Sequence, residues 1–337
     1  MPVRVAFFGL GRIASLLEDD TKREKPASHA GAFSGANGAV LAGGWDWEAD
    51  RRAAFSERWL VPTAFTGPEN LLTELKPDII VVSTWPDSHA SLVELACARG
   101  VPVVVCEKPL TSQLAEARRL VIRVRKTATK VMVNHERRYA RDYQRVRRLV
   151  QEQTYGQLLT VTAKLFMGRG RTPGEVLLWD GTHLIDILRF LTGGELAGIQ
   201  AWGQAETKGE KLTVRFKIGG TEVFLETASN RDHLVFELDL SFERGRIRVG
   251  NGLYEESVGG PSPLYDKMRS LLPVEVDPAT LYPTHYFSGM AADAVKAVLE
   301  PKYLPASSIE DGLAALESID RILKASGSSL KRISRLS

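Results

Sequence analysis

Between residue 1 and about residue 130, short β-branched runs alternate with amphipathic stretches, and this alternation restricts the fold more than any other feature. The runs are VRVAFF (3–8), AVLAGGW (39–45), DIIVVST (78–84), VPVVVC (101–106) and KVMVNH (130–135). Between them lie ADRRAAFSERW (49–59), SHASLVELACARG (88–100) and SQLAEARRLVIRVRK (112–126), each with helical periodicity. Continuous apolar runs separated by helices predict a parallel sheet covered on both faces. Right-handed crossovers then give a doubly wound α/β domain. At 337 residues the chain is too long for one small core and suits two domains.

After about residue 155 the pattern changes. GQLLTVTAKLFMG (156–168), LAGIQAWGQAE (196–206), KLTVRFKIG (211–219), TEVFLETAS (221–229), HLVFELDLSFE (233–243) and GRIRVG (245–250) follow one another with short glycine-containing turns. Several alternate apolar with polar, as half-buried antiparallel strands do. One helix, DGTHLIDILRFLTGG (180–194), interrupts the series and ends in the Gly-Gly stop of a helix C-terminus. A last helix, 309–326, follows the serine cap at 307–308, while 251–285 reads as mostly loop. The expected division is residues 1–130 and 131–337.

Composition excludes several classes. The net charge of +3, from 44 basic and 41 acidic residues, is too slight to imply nucleic acid. Six arginines in residues 137–148 therefore read as the solvated face of a helix, with Tyr139, Tyr143, Val146 and Val150 on its apolar side. No apolar run approaches the roughly 20 residues that span a bilayer. Cys97 and Cys106 sit in apolar surroundings and read as reduced, buried thiols rather than as a disulfide or metal site. A strand starts almost at the first residue with no signal sequence before it, so a cytoplasmic protein is expected, with no nucleic-acid or membrane partner and no metal.

FFGLGRIA places Gly9, Gly11 and Ala14 in the G-x-G-x-x-(G/A) pattern directly after the first strand, at the expected start of a helix. The glycines let the backbone turn tightly and approach a pyrophosphate, and a helix N-terminus supplies N–H groups to the anion. Arg12 and Ile13 fall within the same loop. Asp46 ends the second strand, where a carboxylate accepts the ribose hydroxyls and repels a 2′-phosphate, so NAD is expected as cofactor. Arg51 and Arg52 keep NADP possible, and a helix N-cap is the alternative role for Asp46. The spacing from Ala14 to Asp46 exceeds the usual one, and EDDTKREKPASHAGAF accounts for the excess as a loop near the cofactor.

VVVCEKPLT (103–111) runs a buried strand into Glu107, Lys108 and Pro109. Ligands bind at the carboxyl ends of such strands, where an ammonium can hydrogen-bond a substrate oxygen and stabilise negative charge on it. The alternative is a surface lysine paired with Glu107. His183 lies on the 180–194 helix with Asp180 and Asp186 at spacings of three, and a histidine near a carboxylate suits proton transfer.

Taken together, GLGRIA (9–14), VVSTWPDSHASLVELACARG (81–100), CEKPL (106–110), VNHERRY (133–139) and DGTHLIDILRFL (180–191) resemble the Gfo/Idh/MocA oxidoreductases. The resemblance implies a Rossmann domain followed by an α+β domain whose large open, mainly antiparallel sheet forms the subunit interface of a homodimer or homotetramer. It implies hydride transfer between a nicotinamide and a sugar- or polyol-like substrate, with Lys108 and His183 handling the proton. It places Thr84, Trp85, His89 and Glu107 beside the cofactor, with His89 fixing local structure, and allows a cis Lys108–Pro109 peptide. Asn134 and Arg138 follow a strand end and are expected to face the substrate. The chain departs from the family's D-x-G-x-H pattern: Trp179 stands at the aspartate position and Asp180 follows it. Asp180 then replaces that aspartate, caps the helix or orients His183, and Trp179 is either a platform for a sugar ring or core. Arg169 and Arg171, in a basic loop at 168–175, have two readings, contact with an acidic substrate or plain solvation. Two readings stay beside the main one: the same fold used for redox-assisted elimination or imine or tetrapyrrole reduction, and a non-catalytic NAD-binding sensor.

Overall fold

The computed structural model describes residues 1–329. The chain forms two compact units, one of Met1–Tyr139 with His285–Ala314 and one of Ala140–Thr284 with the last helix from Ala315 onward.

In the first unit, β1 (Val3–Phe8), α1 (His29–Ser34), β2 (Ala39–Trp45), α2 (Ala49–Trp59), α3 (Pro68–Leu75), β3 (Ile79–Val82), α4 (Pro86–Ala98), β4 (Val103–Cys106), α5 (Leu114–Val124) and β5 (Lys130–Val133) alternate as expected. The sheet is parallel throughout, in the order β2-β1-β3-β4-β5. Every residue of β3 and β4 is buried, which is why these strands read as unbroken apolar runs. Chain order reverses between β1 and β3, and this switch point is where an open α/β sheet leaves a crevice for a ligand.

The second unit holds α6 (Arg141–Gln151), β6 (Leu158–Met167), α7 (Pro173–Trp179), α8 (Gly181–Thr192) and β7 (Leu196–Gly203). It continues through β8 (Lys211–Ile218), β9 (Thr221–Ala228), β10 (Leu234–Phe242), β11 (Gly245–Gly250), β12 (Leu253–Pro261) and β13 (Arg269–Pro273). Its 8-stranded sheet runs β13-β12-β11-β10-β6-β9-β8-β7, antiparallel except where β6 meets β9. Val161, Ala163, Leu165, Val214, Phe216, Leu225, Leu238 and Ile247 fill one face, which α6, α7 and α8 cover. Gly193 closes α8 in the left-handed conformation, with φ of 71°.

Three expectations need correction. Residues 251–285 are not loop alone: β12 and β13 extend the sheet there, and the residues around them are turn and loop. The basic loop is shorter than 168–175: α7 starts at Pro173, where Thr172 and Glu175 form a reciprocal capping box. The arginine-rich helix begins only at Arg141, after a tight 3-10 turn at Glu136–Tyr139, and buries Leu149 rather than Val150 beside Tyr143 and Val146.

The chain does not leave the first unit for good at residue 130. After β13 it returns through α9 (Tyr286–Leu299) and enters α10 (Ile309–Ala325). Phe287, Met290, Ala291 and Ala294 of α9 pack in one core with Phe33, Val103, Val105 and Met132. The parallel sheet therefore needs this distant helix to cover it, and apolar burial ties residues 285–314 to the first unit. Among the described residues, no helix is long and apolar enough to cross a membrane.

Candidate active site

The carboxyl ends of β2, β1, β3, β4 and β5 carry Asp46, Gly9, Thr84, Lys108 and Asn134 in one row. At the switch point Gly9 has φ of 89°, and a Cβ there would lie 2.7 Å from the backbone of Ser83 and Thr84. Ser83 Oγ donates to Gly9 O at 2.8 Å, and Gly9 N–H donates to Trp45 O at 2.9 Å. This glycine is demanded by the protein itself. Gly11 is different: a Cβ on it would meet nothing nearer than Arg51 Nη1 at 3.7 Å. The space in front of Gly11 is open, as a pyrophosphate approaching the backbone requires.

The glycine loop does not open a long helix. One helical turn forms, with Ser15 N–H donating to Gly11 O at 3.1 Å, and a short 3-10 turn follows at Leu16–Asp19. The helical path resumes only at α1, whose His29 and Ala30 N–H groups donate to Ile13 O at 3.0 Å and Ala14 O at 2.9 Å. Residues between are looped out, as the long spacing to Asp46 implies. Glu18 ties the excursion down by accepting from Ala27 N at 2.8 Å, Ser28 N at 2.9 Å and Ser28 Oγ at 2.8 Å. Ala14 is buried, Ile13 half-buried and Arg12 exposed.

Asp46 is buried and clamps the loop. Its Oδ2 accepts Leu10 N–H at 2.8 Å and its Oδ1 accepts Glu48 N–H at 2.9 Å. Glu48, not Asp46, occupies the N-cap position of α2. Each carboxylate oxygen keeps a second lone pair for a ribose hydroxyl. Arg51 stands 3.8 Å from Asp46, so a cation lies beside the carboxylate, while Arg52 is spent on the carbonyls of Asp46 and Trp47. Trp47, 61% exposed, packs edgewise on Trp45 at 4.4 Å and walls an open cleft beside Thr66 and Leu95. The sequence reading passed over it.

On the other side of the switch point, Thr84 Oγ1 accepts from Ser88 Oγ at 2.8 Å, and Trp85 stands partly exposed at the N-cap of α4. His89 is fully buried, with its ring nitrogens 3.0 Å from Pro109 O and 3.1 Å from Thr84 O. Burial pushes its pKa down, against the carbonyls on its two nitrogens, which favour the charged form. It is a strut between the Thr84 loop and the turn carrying Lys108, as the sequence reading allowed, and it does not offer an edge to a cofactor.

The Lys108–Pro109 peptide is cis. Beside it, Glu107 is buried and well supplied with donors. Its Oε1 accepts from His29 Nε2 at 2.7 Å and from Asn134 Nδ2 at 2.6 Å, and Lys108 N–H lies 3.3 Å from Oε2. Burial alone would raise the Glu107 carboxyl, but the His29 hydrogen bond, the Lys108 charge and Asn134 outweigh it and hold the pKa below the ordinary value. Asn134, expected to face the substrate, is 2% exposed and its amide nitrogen is committed to Glu107. Arg138, also expected there, is buried: its guanidinium pairs with Asp311 at 2.9 Å and donates to Ala306 O at 2.5 Å. It ties the returning segment into the first unit. Glu136, within VNHERRY but not singled out from it, lies just past β5 in the electrostatic field of Lys108 and Arg137, and desolvation pushes its carboxyl up. Cys97 and Cys106 are free, buried thiols whose pKa values burial raises.

In the second unit, Asp180 links α7 to α8. Its side chain makes no cap bond and instead accepts from Arg171 Nη1 at 2.7 Å. His183 N–H donates to Asp180 O at 3.2 Å, a backbone contact. His183 and Asp186 are buried on α8, and Trp179 is half-buried at the end of α7.

A parallel sheet with a glycine loop at its switch point and a lysine at a nearby strand tip defines the class as a dinucleotide-binding α/β fold. The comparisons narrow the class. Residues 3–135 match the profile of the oxidoreductase family with NAD-binding Rossmann fold, Gfo/Idh/MocA. The chain is 25% identical over 269 residues to myo-inositol 2-dehydrogenase of Thermotoga maritima, covering 74% of this chain and 75% of that protein. It is 26% identical over 297 residues to 1,5-anhydro-D-fructose reductase of Ensifer adhaerens, covering 82% of this chain and 86% of that one. In fold it matches an oxidoreductase of Agrobacterium radiobacter, solved with NAD+, L-tartaric acid and magnesium, at a TM-score of 0.76 and 17% identity over 97% of each chain. Residues 3–135 thus match the Gfo/Idh/MocA oxidoreductase family, whose Rossmann fold is NAD-binding.

Proposed function

We propose that the chain moves a hydride between NAD(P) and a sugar- or polyol-like alcohol/ketone pair. The first unit binds the dinucleotide and the second contributes substrate contacts and subunit association. The observation that carries this reading is Lys108 at the tip of β4, on the same sheet edge as the glycine loop and Thr84. The names of the relatives, an inositol dehydrogenase and an anhydrofructose reductase, support the substrate class.

When bound, the nicotinamide supplies hydride acceptance and donation. The chain's own residues do the rest. The Lys108 ammonium hydrogen-bonds the reacting oxygen and stabilises the charge that grows on it. Lys108 and His183 are assigned the proton that this oxygen loses or gains. Asp46 receives the ribose, and Arg51 beside it accommodates NADP at lower preference.

The test is a panel of sugars, inositols and sugar acids, followed by nicotinamide absorbance with NAD and with NADP. Turnover of at least one cyclic polyol or sugar is expected, and Lys108→Ala is expected to lower it roughly 10²- to 10³-fold while NAD still binds. Unchanged turnover in that variant removes Lys108 from the reaction.

A further inference from the structure

We propose that His29 is a positioning residue that acts through the Glu107 carboxylate to hold the turn carrying Lys108 in its working form. The inference rests on the assignment of Lys108 to the reacting oxygen.

Glu107 is an acid set at the end of a wholly buried strand, at 7% exposure. A carboxylate stays ionised in such a place only when donors surround it. Asn134, on the next strand, supplies one at 2.6 Å; His29 supplies the other at 2.7 Å. His29 is fully buried on α1, and its ring meets Phe287 edge-on at 5.3 Å and 87°, which fixes the ring plane. Its Nδ1 is buried without a hydrogen-bond partner among the described residues. The Nε2–H tautomer suits both ends: it donates to Glu107 and leaves only a lone pair on Nδ1. Packing does not ask for a histidine here. The core that α1 and α9 share, with Ala30, Phe33, Phe287, Met290 and Ala291, is apolar, and the Phe287 ring that meets His29 would pack on an apolar ring as well.

What histidine adds is a directed donor to one oxygen. Ionised Glu107 accepts the Lys108 N–H and sets a negative charge beside that residue. The other titratable groups facing Glu107 do not take its place. His89 from α4 is lowered by burial and spends both ring nitrogens on backbone carbonyls, the Cys106 thiol is pushed up, and Glu136 beyond β5 is itself raised by desolvation. Lys108 is the cation of the set, so the charge state of Glu107 is felt there first.

The test uses the full chain with His29→Phe, His29→Gln and, as reference, Lys108→Ala. For His29→Phe, kcat is expected to fall roughly 10- to 100-fold, the loss of a hydrogen bond to a charged group, with KM changed less than about threefold. The acid limb of the kcat–pH profile is expected to rise by about one unit, because Glu107 protonates more readily without its donor. His29→Gln, whose amide N–H reaches the same oxygen, is expected to restore most of both. NAD affinity, read by tryptophan quenching, stays near that of the parent chain. Heteronuclear NMR of the imidazole nitrogens in the unmodified chain is expected to show His29 protonated on Nε2, a readout that needs neither turnover nor a folded variant. A His29 proton on Nδ1, or a His29→Phe profile that matches the parent in kcat and acid limb, overturns the inference. Should Lys108→Ala keep full turnover, the functional assignment fails instead, and the NMR result still decides the His29–Glu107 contact.

Discussion

Gly9 and Gly11 belong to one motif, yet the physics behind them differs. At Gly9 a side chain would collide with the Ser83–Thr84 backbone at 2.7 Å and would need a left-handed φ of 89°. Gly9→Ala is therefore expected to destabilise the fold by about 1–3 kcal/mol, seen as a lower thermal midpoint. Gly11→Ala meets only an arginine tip at 3.7 Å, so its midpoint is expected to stay within about 0.5 kcal/mol of the parent while NAD affinity drops at least tenfold. A Gly11→Ala chain that binds NAD normally would show that the open space is not the pyrophosphate's. Residues of this kind were legible because motif and context name them. Gly9, Asp46, Glu107 and Lys108 all follow directly on a strand end. His29 was not legible: a looped-out excursion separates it from the glycine loop, and its partner Glu107 is 78 residues away. Asn134 and Arg138 were placed on the right edge of the sheet, but sequence spacing cannot say that the Asn134 amide nitrogen and the Arg138 guanidinium are engaged with Glu107 and Asp311.

Among elements, the parallel strands and α2 were read almost to the residue because both faces of the sheet are buried. The strands β12 and β13 at one end of the sheet escaped because they are only half-buried and carry Gly259, Gly260, Pro261 and Pro273, which read as turn. The capping box at Thr172 was visible in T-P-G-E and was overlooked beside the arginines before it. How the returning segment is anchored gives a pH prediction. Desolvation alone would raise the Asp311 carboxyl, but Arg138 at 2.9 Å and the Ser308 N–H hold it well below the usual carboxylate range. A depressed carboxyl contributes stability that is present above its unfolded value, about 4, and is lost as pH falls toward the folded one. Arg138→Ala takes the guanidinium from a half-buried Asp311 that keeps its Ser308 donors, and is expected to cost roughly 2–4 kcal/mol at pH 7. The difference from the parent should shrink below about pH 4, where Asp311 takes up a proton in the variant first. Denaturant unfolding at several pH values checks this, and a pH-independent difference would show that Arg138 acts by packing alone.

For the molecule as a whole, the outer face of the second unit's sheet decides whether the chain works alone. Its charges are laid out across strands and neutralise one another: Arg246 pairs with Asp239 at 2.5 Å, Arg248 with Glu237 at 3.0 Å and Glu255 at 2.9 Å, and Arg215 with Glu222 at 3.0 Å. Register puts Phe224 between Arg215 and Thr162 on this same face, 42% exposed, with Trp202 two strands away at 56%. A two-fold interface needs a patch complementary to itself, and a face carrying both signs around exposed aromatic rings meets that condition. Charges already paired within the sheet also lose less on leaving water than isolated ones. The occupant expected on this face is thus a second copy of the chain, as the family resemblance implies. Light scattering should give a multiple of the chain mass. Phe224→Glu puts a third carboxylate between Glu222 and Glu226, and is expected to weaken self-association at least tenfold with little change in the unfolding midpoint of the separated chain. A parent chain that scatters as a monomer at micromolar concentration would remove the interface, and would leave the aromatic rings as ordinary exposed residues of a one-sided sheet.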